Sequence, residues 1–231
     1  MRFRWGLWLM LLIIGGATLS VWRGWVTLPP QWNPWAPLDV RADPNFLTRY
    51  KLMQLRDDPQ LCDQVLGTSG LRVARQADSP DAKCPLTNTL RVQGGEVALS
   101  SSFLASCRLA VSFALFERHA LQPAARAMYG QSVSRVDHLG SFACRNVYGR
   151  ENGRRSQHAS ADALDIAGFR LADGRAINVL KDWPKDNQDA KFLRQVRQGA
   201  CDTFSVVLSP DYNAAHRNHF HLDVGPWSVC R

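Results

Sequence analysis

No Cys-x-x-Cys pair occurs anywhere in the 231 residues, and no cysteine precedes Cys62. The usual ligand spacing of a cysteine-based zinc site is therefore missing. There is no internal repeat and no low-complexity tract, so one ordinary domain is expected rather than an array of repeated units. Charge is absent altogether from Trp5 to Trp22, a run of 18 residues. Aromatic and basic residues do not interleave as they do in a single-stranded nucleic-acid groove, and no nucleic-acid partner is expected.

What is present starts with charge. Lysine and arginine outnumber aspartate and glutamate by 28 to 20, a formal charge of +8. That balance favours polyanions, among them nucleic acid, phospholipid headgroups and the anionic polymers of a cell wall. Hydrophobic content of 45% is enough to fill one sizeable core. The uncharged run is about the length that crosses a bilayer. It follows Arg2 and Arg4 and has no clear small-x-small cleavage site. Residues 1–26 are therefore read as an uncleaved signal anchor in the inner (cytoplasmic) membrane, with signal cleavage and release to the periplasm as the alternative. The two arginines keep the amino terminus in the cytoplasm, so everything after Arg23 is expected on the periplasmic side, with Trp22 and Trp25 at the far interface. All six cysteines lie beyond the anchor, as an oxidising compartment and up to three disulfides require. Fifteen pairings are open.

Residues 27–44 hold five prolines and read as an extended spacer, outside the core, that lifts the domain from the membrane. The domain is then 45–231. A helical pattern covers Asn45 to about Thr68, and a short strand falls on RVARQA. The strongest helix pattern runs from Ser100 to His119, with Phe103, Leu104, Cys107, Val111 and Leu115 at three- and four-residue spacing and Ser100 to Ser102 as caps. Another starts at Asp186 as N-cap and ends near Gly199. Strands are expected at 132–142, 163–171, 175–180, 204–208 and 219–224, with Ala172-Asp173-Gly174 as a hairpin turn. Helices first and strands mostly later predict an α+β domain around an antiparallel sheet with packed helices.

Three of the six histidines sit in HRNHFHLDVG, residues 216–225. Strand alternation puts His219, His221 and Asp223 on one face and Phe220, Leu222 and Val224 on the other, so the apolar set pins the strand to the core. A second polar cluster is SQHASADALDIAGF, residues 156–169. There Asp165 lies on a strand bounded by Leu164 and Ile166, where a carboxylate is costly to desolvate without a cation. Combined, His158, Asp165 and His221 make a two-histidine, one-carboxylate set with an open fourth position, the pattern of a hydrolytic Zn²⁺ site. His219, close to that open position but not needed as a ligand, is the expected general base.

The order HxxxxxxD followed by a late HxH resembles the zinc peptidases that include D-alanyl-D-alanine carboxypeptidases, murein endopeptidases and the hedgehog signalling domain. More narrowly, GSFACR, SQHASADALDIAGFRLADG and HRNHFHLD resemble the bacterial extensin-like C-terminal family, over about residues 55–230. The resemblance implies the peptidase-like fold, zinc held by His158, Asp165 and His221, and His219 acting on water. It also implies a cation on the preceding strand, matched by Arg145, which would stabilise an oxyanion. Two positions depart from the family's pattern: Ala161 stands where glycine is usual and Asn218 where an acidic residue is common. Ala161 is expected to need a turn without positive φ.

His119 and His138 read as structural. Ser156 reads as a cap for the turn that presents His158, His216 as a substrate contact, a group supporting the ligands or a solvated loop residue, and Asp223 as orienting an imidazole or pairing with a surface arginine. Arg150, Arg154 and Arg155 form a basic loop, solvated or in contact with peptide carboxylates. The function expected is a membrane-anchored, periplasm-facing zinc hydrolase of amide bonds in peptidoglycan stem peptides, either endopeptidase or carboxypeptidase. The alternative is a wall-binding module that keeps zinc without turnover. A metal-dependent nuclease fits neither the anchor nor the cysteines.

Overall fold

The computed structural model describes residues 2–231, with side chains from Trp5 onward. Arg2 and Arg4, on which the expected orientation rests, lie outside the described side chains. Helix α1 (Arg2–Trp22) is long and apolar enough to cross a membrane, and none of its Trp5–Trp22 stretch is buried within the protein.

The segment that follows does not stand apart as a spacer. Val40 is fully buried and Leu38 nearly so. The Val40 N–H donates to Thr68 Oγ1 at 2.9 Å, and its carbonyl accepts from His119 Nε2 at 2.8 Å. Further back, Lys51 Nζ donates to the Pro30 carbonyl at 2.7 Å and Asn45 Nδ2 to that of Gln31 at 2.8 Å. Proline content speaks for extended backbone but not for where that backbone lies. Leu38 and Val40, two residues apart, point the same way and fill the core.

The first helical stretch is two helices, α2 (Thr48–Gln54) and α3 (Pro59–Leu66), because Asp58 caps a new start and Pro59 takes a first-turn position. Strands β1 (Arg72–Arg75), β2 (Thr89–Gly94) and β3 (Ala98–Leu99) follow. The helix expected from Ser100 is corrected: Phe103–Ser106 is strand β4, paired antiparallel with β2. Its residues Phe103, Leu104 and Ala105 are all buried, and a continuous apolar run carries no period that separates strand from helix. Helix α4 (Cys107–Phe116) begins only where Ser106 Oγ accepts from the Leu109 N–H. A wide turn, Glu117–Leu121, leads into α5 (Gln122–Tyr129).

Strands β5 (Val133–Gly140), β6 (Ala163–Leu171) and β7 (Ala176–Asn178) come next, then the short α6 (Val179–Asp182) and α7 (Gln188–Ala200). Asn187, not Asp186, caps α7 by accepting from the Ala190 N–H. Strands β8 (Val206–Leu208), β9 (Phe220–Asp223) and β10 (Val229–Cys230) complete the chain.

The fold is α+β. One sheet has the order β1-β2-β4; the larger runs β10-β8-β9-β6-β5-β3, with β7 sharing the β9 edge of β6. Its central pairs are antiparallel as expected, but both edge strands, β3 and β10, join parallel. One face of this sheet packs on the helices through contacts such as Phe169 on Phe192 and Trp183 on Phe220. Each such side chain removed from water stabilises the fold by about 1.5–3 kcal/mol. Among the fifteen pairings the structure selects Cys62–Cys107, Cys84–Cys144 and Cys201–Cys230. The second anchors the loop after β5, and the third fastens β10 to the end of α7.

Candidate metal centre

Strand β9 lies between β6 and β8, and its register on β6 sets Asp165 opposite His221 while Leu164 meets Leu222 and Ile166 meets Phe220. The two apolar pairs are fully or almost fully buried. A slip of one residue would turn them to solvent, so core packing fixes the face on which the polar residues meet.

His158 arrives from a different element, the tight turn Gln157–Ser160 before β6. Ser156 Oγ accepts from the His158 N–H at 3.3 Å. The turn closes through Ala161 at φ 54° and ψ 32°, in the left-handed region. The expectation that alanine would forbid positive φ is thus corrected: its small Cβ is tolerated, and the Ala161 carbonyl is held by the Ser106 N–H at 2.8 Å. Arg108 and Asp162, both largely buried, pair at 3.5 Å beneath this turn. Gly225, just past β9, passes so close that a Cβ there would come within 2.6 Å of Gln157 Nε2.

Three donor atoms converge where these elements meet. His158 Nε2 is 3.2 Å from His221 Nδ1 and 3.3 Å from Asp165 Oδ1, and His221 Nδ1 is 3.0 Å from the same oxygen. The far nitrogens are already committed. His158 Nδ1 faces the Ser141 carbonyl at 3.1 Å and His221 Nε2 faces Asp223 Oδ2 at 3.1 Å. Both partners only accept, so each far nitrogen carries a proton and each near nitrogen offers a lone pair. With both rings neutral, two imidazole lone pairs and a carboxylate would face one another, so the cluster needs a positive charge, either a ring proton or a metal ion. Zinc bonds of about 2.0–2.1 Å in a tetrahedron put donor atoms about 3.3 Å apart, and the triangle has nearly that size.

The electrostatics express the same demand. Burial would raise the Asp165 pKa, but hydrogen bonds from His158 and His221 outweigh it and hold the carboxyl well below the usual carboxylate range. Burial would lower His221, but Asp165 and Asp223 on either side push it up to about 9. Without a metal ion, a proton on His221 supplies the positive charge.

His219, Arg145 and His216 line the same groove, of about 460 Å³, with the three donors on its floor. His219 Nε2 comes within 3.5 Å of Asp165 Oδ1, while its Nδ1 donates to Asn218 Oδ1 at 2.8 Å. Asn218 thus provides the acceptor that a carboxylate would, but no charge. Burial first, and neighbours including Arg145, lower the His219 pKa, leaving a neutral imidazole at neutral pH. Its ring and that of His221 both pack against His216, which burial pushes down to about 4. Arg145 is not on the preceding strand as expected. It sits in the loop after β5, beside the Cys84–Cys144 bridge, where its carbonyl accepts from the Ser156 N–H.

Of the basic loop, Arg154 reaches the groove and lies over the Trp227 ring at 5.6 Å. Arg155 turns away to Cys84 Sγ, and Arg150 lies over Tyr148. His119 and His138 stand apart, each bonded to a backbone carbonyl. Several residues of the site give no signal in the sequence. Ser141 contributes only its carbonyl, and Asn213 joins the two walls by donating to Tyr148 Oη while accepting from His216 Nδ1. Trp227 was findable, as an aromatic just beyond HRNHFHLD in a glycine-proline turn.

An α+β domain with a His-Asp-His cluster at the floor of a disulfide-braced groove defines the class. The family profile described as extensin-like protein C-terminus matches residues 60–231, and the chain belongs to that family. No curated protein and no solved structure matches it.

Proposed function

We propose that the protein is a zinc-dependent hydrolase of amide bonds in peptidoglycan peptides, working at the periplasmic face of the membrane. The observation that carries this reading is the convergence of three possible ligand atoms, His158 Nε2, Asp165 Oδ1 and His221 Nδ1, within 3.0–3.3 Å of one another. A divalent ion held there supplies a Lewis acid and a source of hydroxide near neutral pH.

The chain's own groups account for the rest. His219 keeps its Nδ1 proton on Asn218 and presents a neutral Nε2 to the open side of the cluster, where it takes a proton from water and returns it to the leaving amine. Arg145 brings positive charge to the same groove, against the negative charge that develops on the carbonyl oxygen. Arg154 over Trp227 and the rings of Tyr148 and Tyr212 give walls that suit an extended peptide carrying carboxylates.

The test is mass spectrometry of the soluble products released from purified peptidoglycan by the zinc-loaded protein, with and without a chelator. Chelator-sensitive peptide fragments are expected, and their masses name the bond. A folded, zinc-containing protein that releases nothing would overturn the hydrolase and leave a wall-binding module.

A further inference from the structure

Five exposed aromatic residues lie from the end of α1 through α2, against four in the rest of the domain: Phe142, Tyr148, Tyr212 and Trp227. Trp25, Trp32 and Trp35 are 73%, 47% and 60% exposed, and Phe46 is 79% exposed. The Trp32 ring packs on Phe46 with centroids 5.9 Å apart. Phe46, Tyr50 and Met53 follow at helical spacing along the start and outer face of α2, all exposed, while Thr48, Lys51 and Leu52 form its buried side. A stripe of this kind, tryptophan-rich and left exposed among the described residues, is costly to leave in water.

Chain length decides what can cover it. Eighteen free residues between membrane and domain would reach roughly 60 Å when extended. The segment is not free. The Val26 N–H still bonds to the Ser20 carbonyl at the end of α1, and the Pro30 carbonyl is already held by Lys51 of the domain. Pro30 is four positions beyond Val26, so the base of the domain lies at most roughly 14 Å from the end of α1. The headgroup layer on each side of a bilayer is itself roughly 5–7 Å thick. Tryptophan favours that layer, where an apolar ring and a polar N–H are both accommodated.

We propose that Trp25, Trp32, Trp35, Phe46, Tyr50 and Met53 form a membrane-seating surface that rests in the headgroup layer and holds the domain against the bilayer. The proposal rests on the reading of α1 as a membrane anchor. Its consequence is that the groove works close to the membrane and not at the end of a long tether.

Full-length protein in phosphatidylcholine vesicles tests it, with bromine atoms on the acyl chains near the headgroups as a contact quencher of tryptophan. The emission lost in the Trp32→Phe/Trp35→Phe variant reports the seating surface, and the emission lost in Trp5→Phe/Trp8→Phe reports the anchor. Phenylalanine preserves ring contact with Phe46, and Trp35→Phe alone gives the same comparison without touching that contact. Both signals are expected to be mostly quenched by the brominated lipid. Quenching of the Trp5/Trp8 signal alone overturns the seating surface and leaves the anchor standing. Quenching of neither overturns the anchor, and the seating surface with it.

Discussion

Asp165 and Asp223 flank His221 from its two sides: Oδ1 of the first lies 3.0 Å from Nδ1, and Oδ2 of the second 3.1 Å from Nε2. One carboxylate shares the ligand side with His221 and the other fixes its tautomer, so the two should fail differently. Asp165→Asn is expected to abolish stoichiometric zinc binding. Asp223→Asn is expected to weaken zinc by about 10–100-fold while leaving one ion per chain at saturation. Competition against a chromogenic chelator measures both. Equal losses would mean that Asp223 is not acting through His221.

His219 offers the complementary separation. Its Nε2 faces the cluster, but its position two residues before His221 on the chain leaves the donor triangle complete without it. His219→Ala is expected to retain zinc and lose about 10²–10⁴-fold in the rate of peptide release. Loss of the metal along with the activity would make His219 a ligand and remove the proposed general base.

Much of this site was legible because strand alternation is strict. HFHLD places its imidazoles and carboxylate on one face whatever strand it pairs with, and Asp165 between Leu164 and Ile166 is equally constrained. The pairing that brings Asp165 opposite His221 is a tertiary fact, carried by the match of Leu164 with Leu222 and Ile166 with Phe220. Less was legible where apolar residues dominate a run. Phe103 to Ala105 is apolar on every side and joins directly onto helix α4, so only the Ser106 cap marks the boundary between strand β4 and the helix. The burial of Leu38 and Val40 was hidden by the prolines around them. Supports given by backbone carbonyls, such as that of Ser141, leave no trace in side-chain identity.

The left-handed Ala161 leads to a prediction in which magnitudes nearly cancel. Left-handed backbone costs a non-glycine residue about 1–2 kcal/mol. Glycine would relieve that, but it would forfeit a fully buried methyl worth about 0.8 kcal/mol and add unfolded-state freedom worth about 0.4–1 kcal/mol. Ala161→Gly should therefore change stability by less than about 1 kcal/mol in either direction. Ala161→Val, with a branched Cβ at positive φ, should lose more than about 2 kcal/mol and weaken zinc through the displaced His158 turn. Urea unfolding and chelator competition on the two variants read these effects.

Glu117 carries a pH dependence far from the site. It begins the wide turn after α4, is 4% exposed, and accepts from the Val97 N–H at 2.8 Å. Burial raises its pKa to about 7, against the opposing hydrogen bond from Val97 and with help from Glu96. Below pH 4.5 native and unfolded chains both hold the proton, and the shift costs nothing. Between 4.5 and about 7 the unfolded chain releases the proton while the native chain keeps it, so stability falls as pH rises, by at most about 1.4 kcal/mol per unit. Above that window the accumulated loss is about 3 kcal/mol. Glu117→Gln keeps an oxygen for Val97 and removes the titration. It is expected to match the wild type near pH 4, to stay flat where the wild type declines, and to be the more stable protein at pH 8. Guanidinium midpoints across pH 4–8 measure the difference, and parallel curves for the two proteins would show that Glu117 titrates in the native state as it does in the unfolded chain.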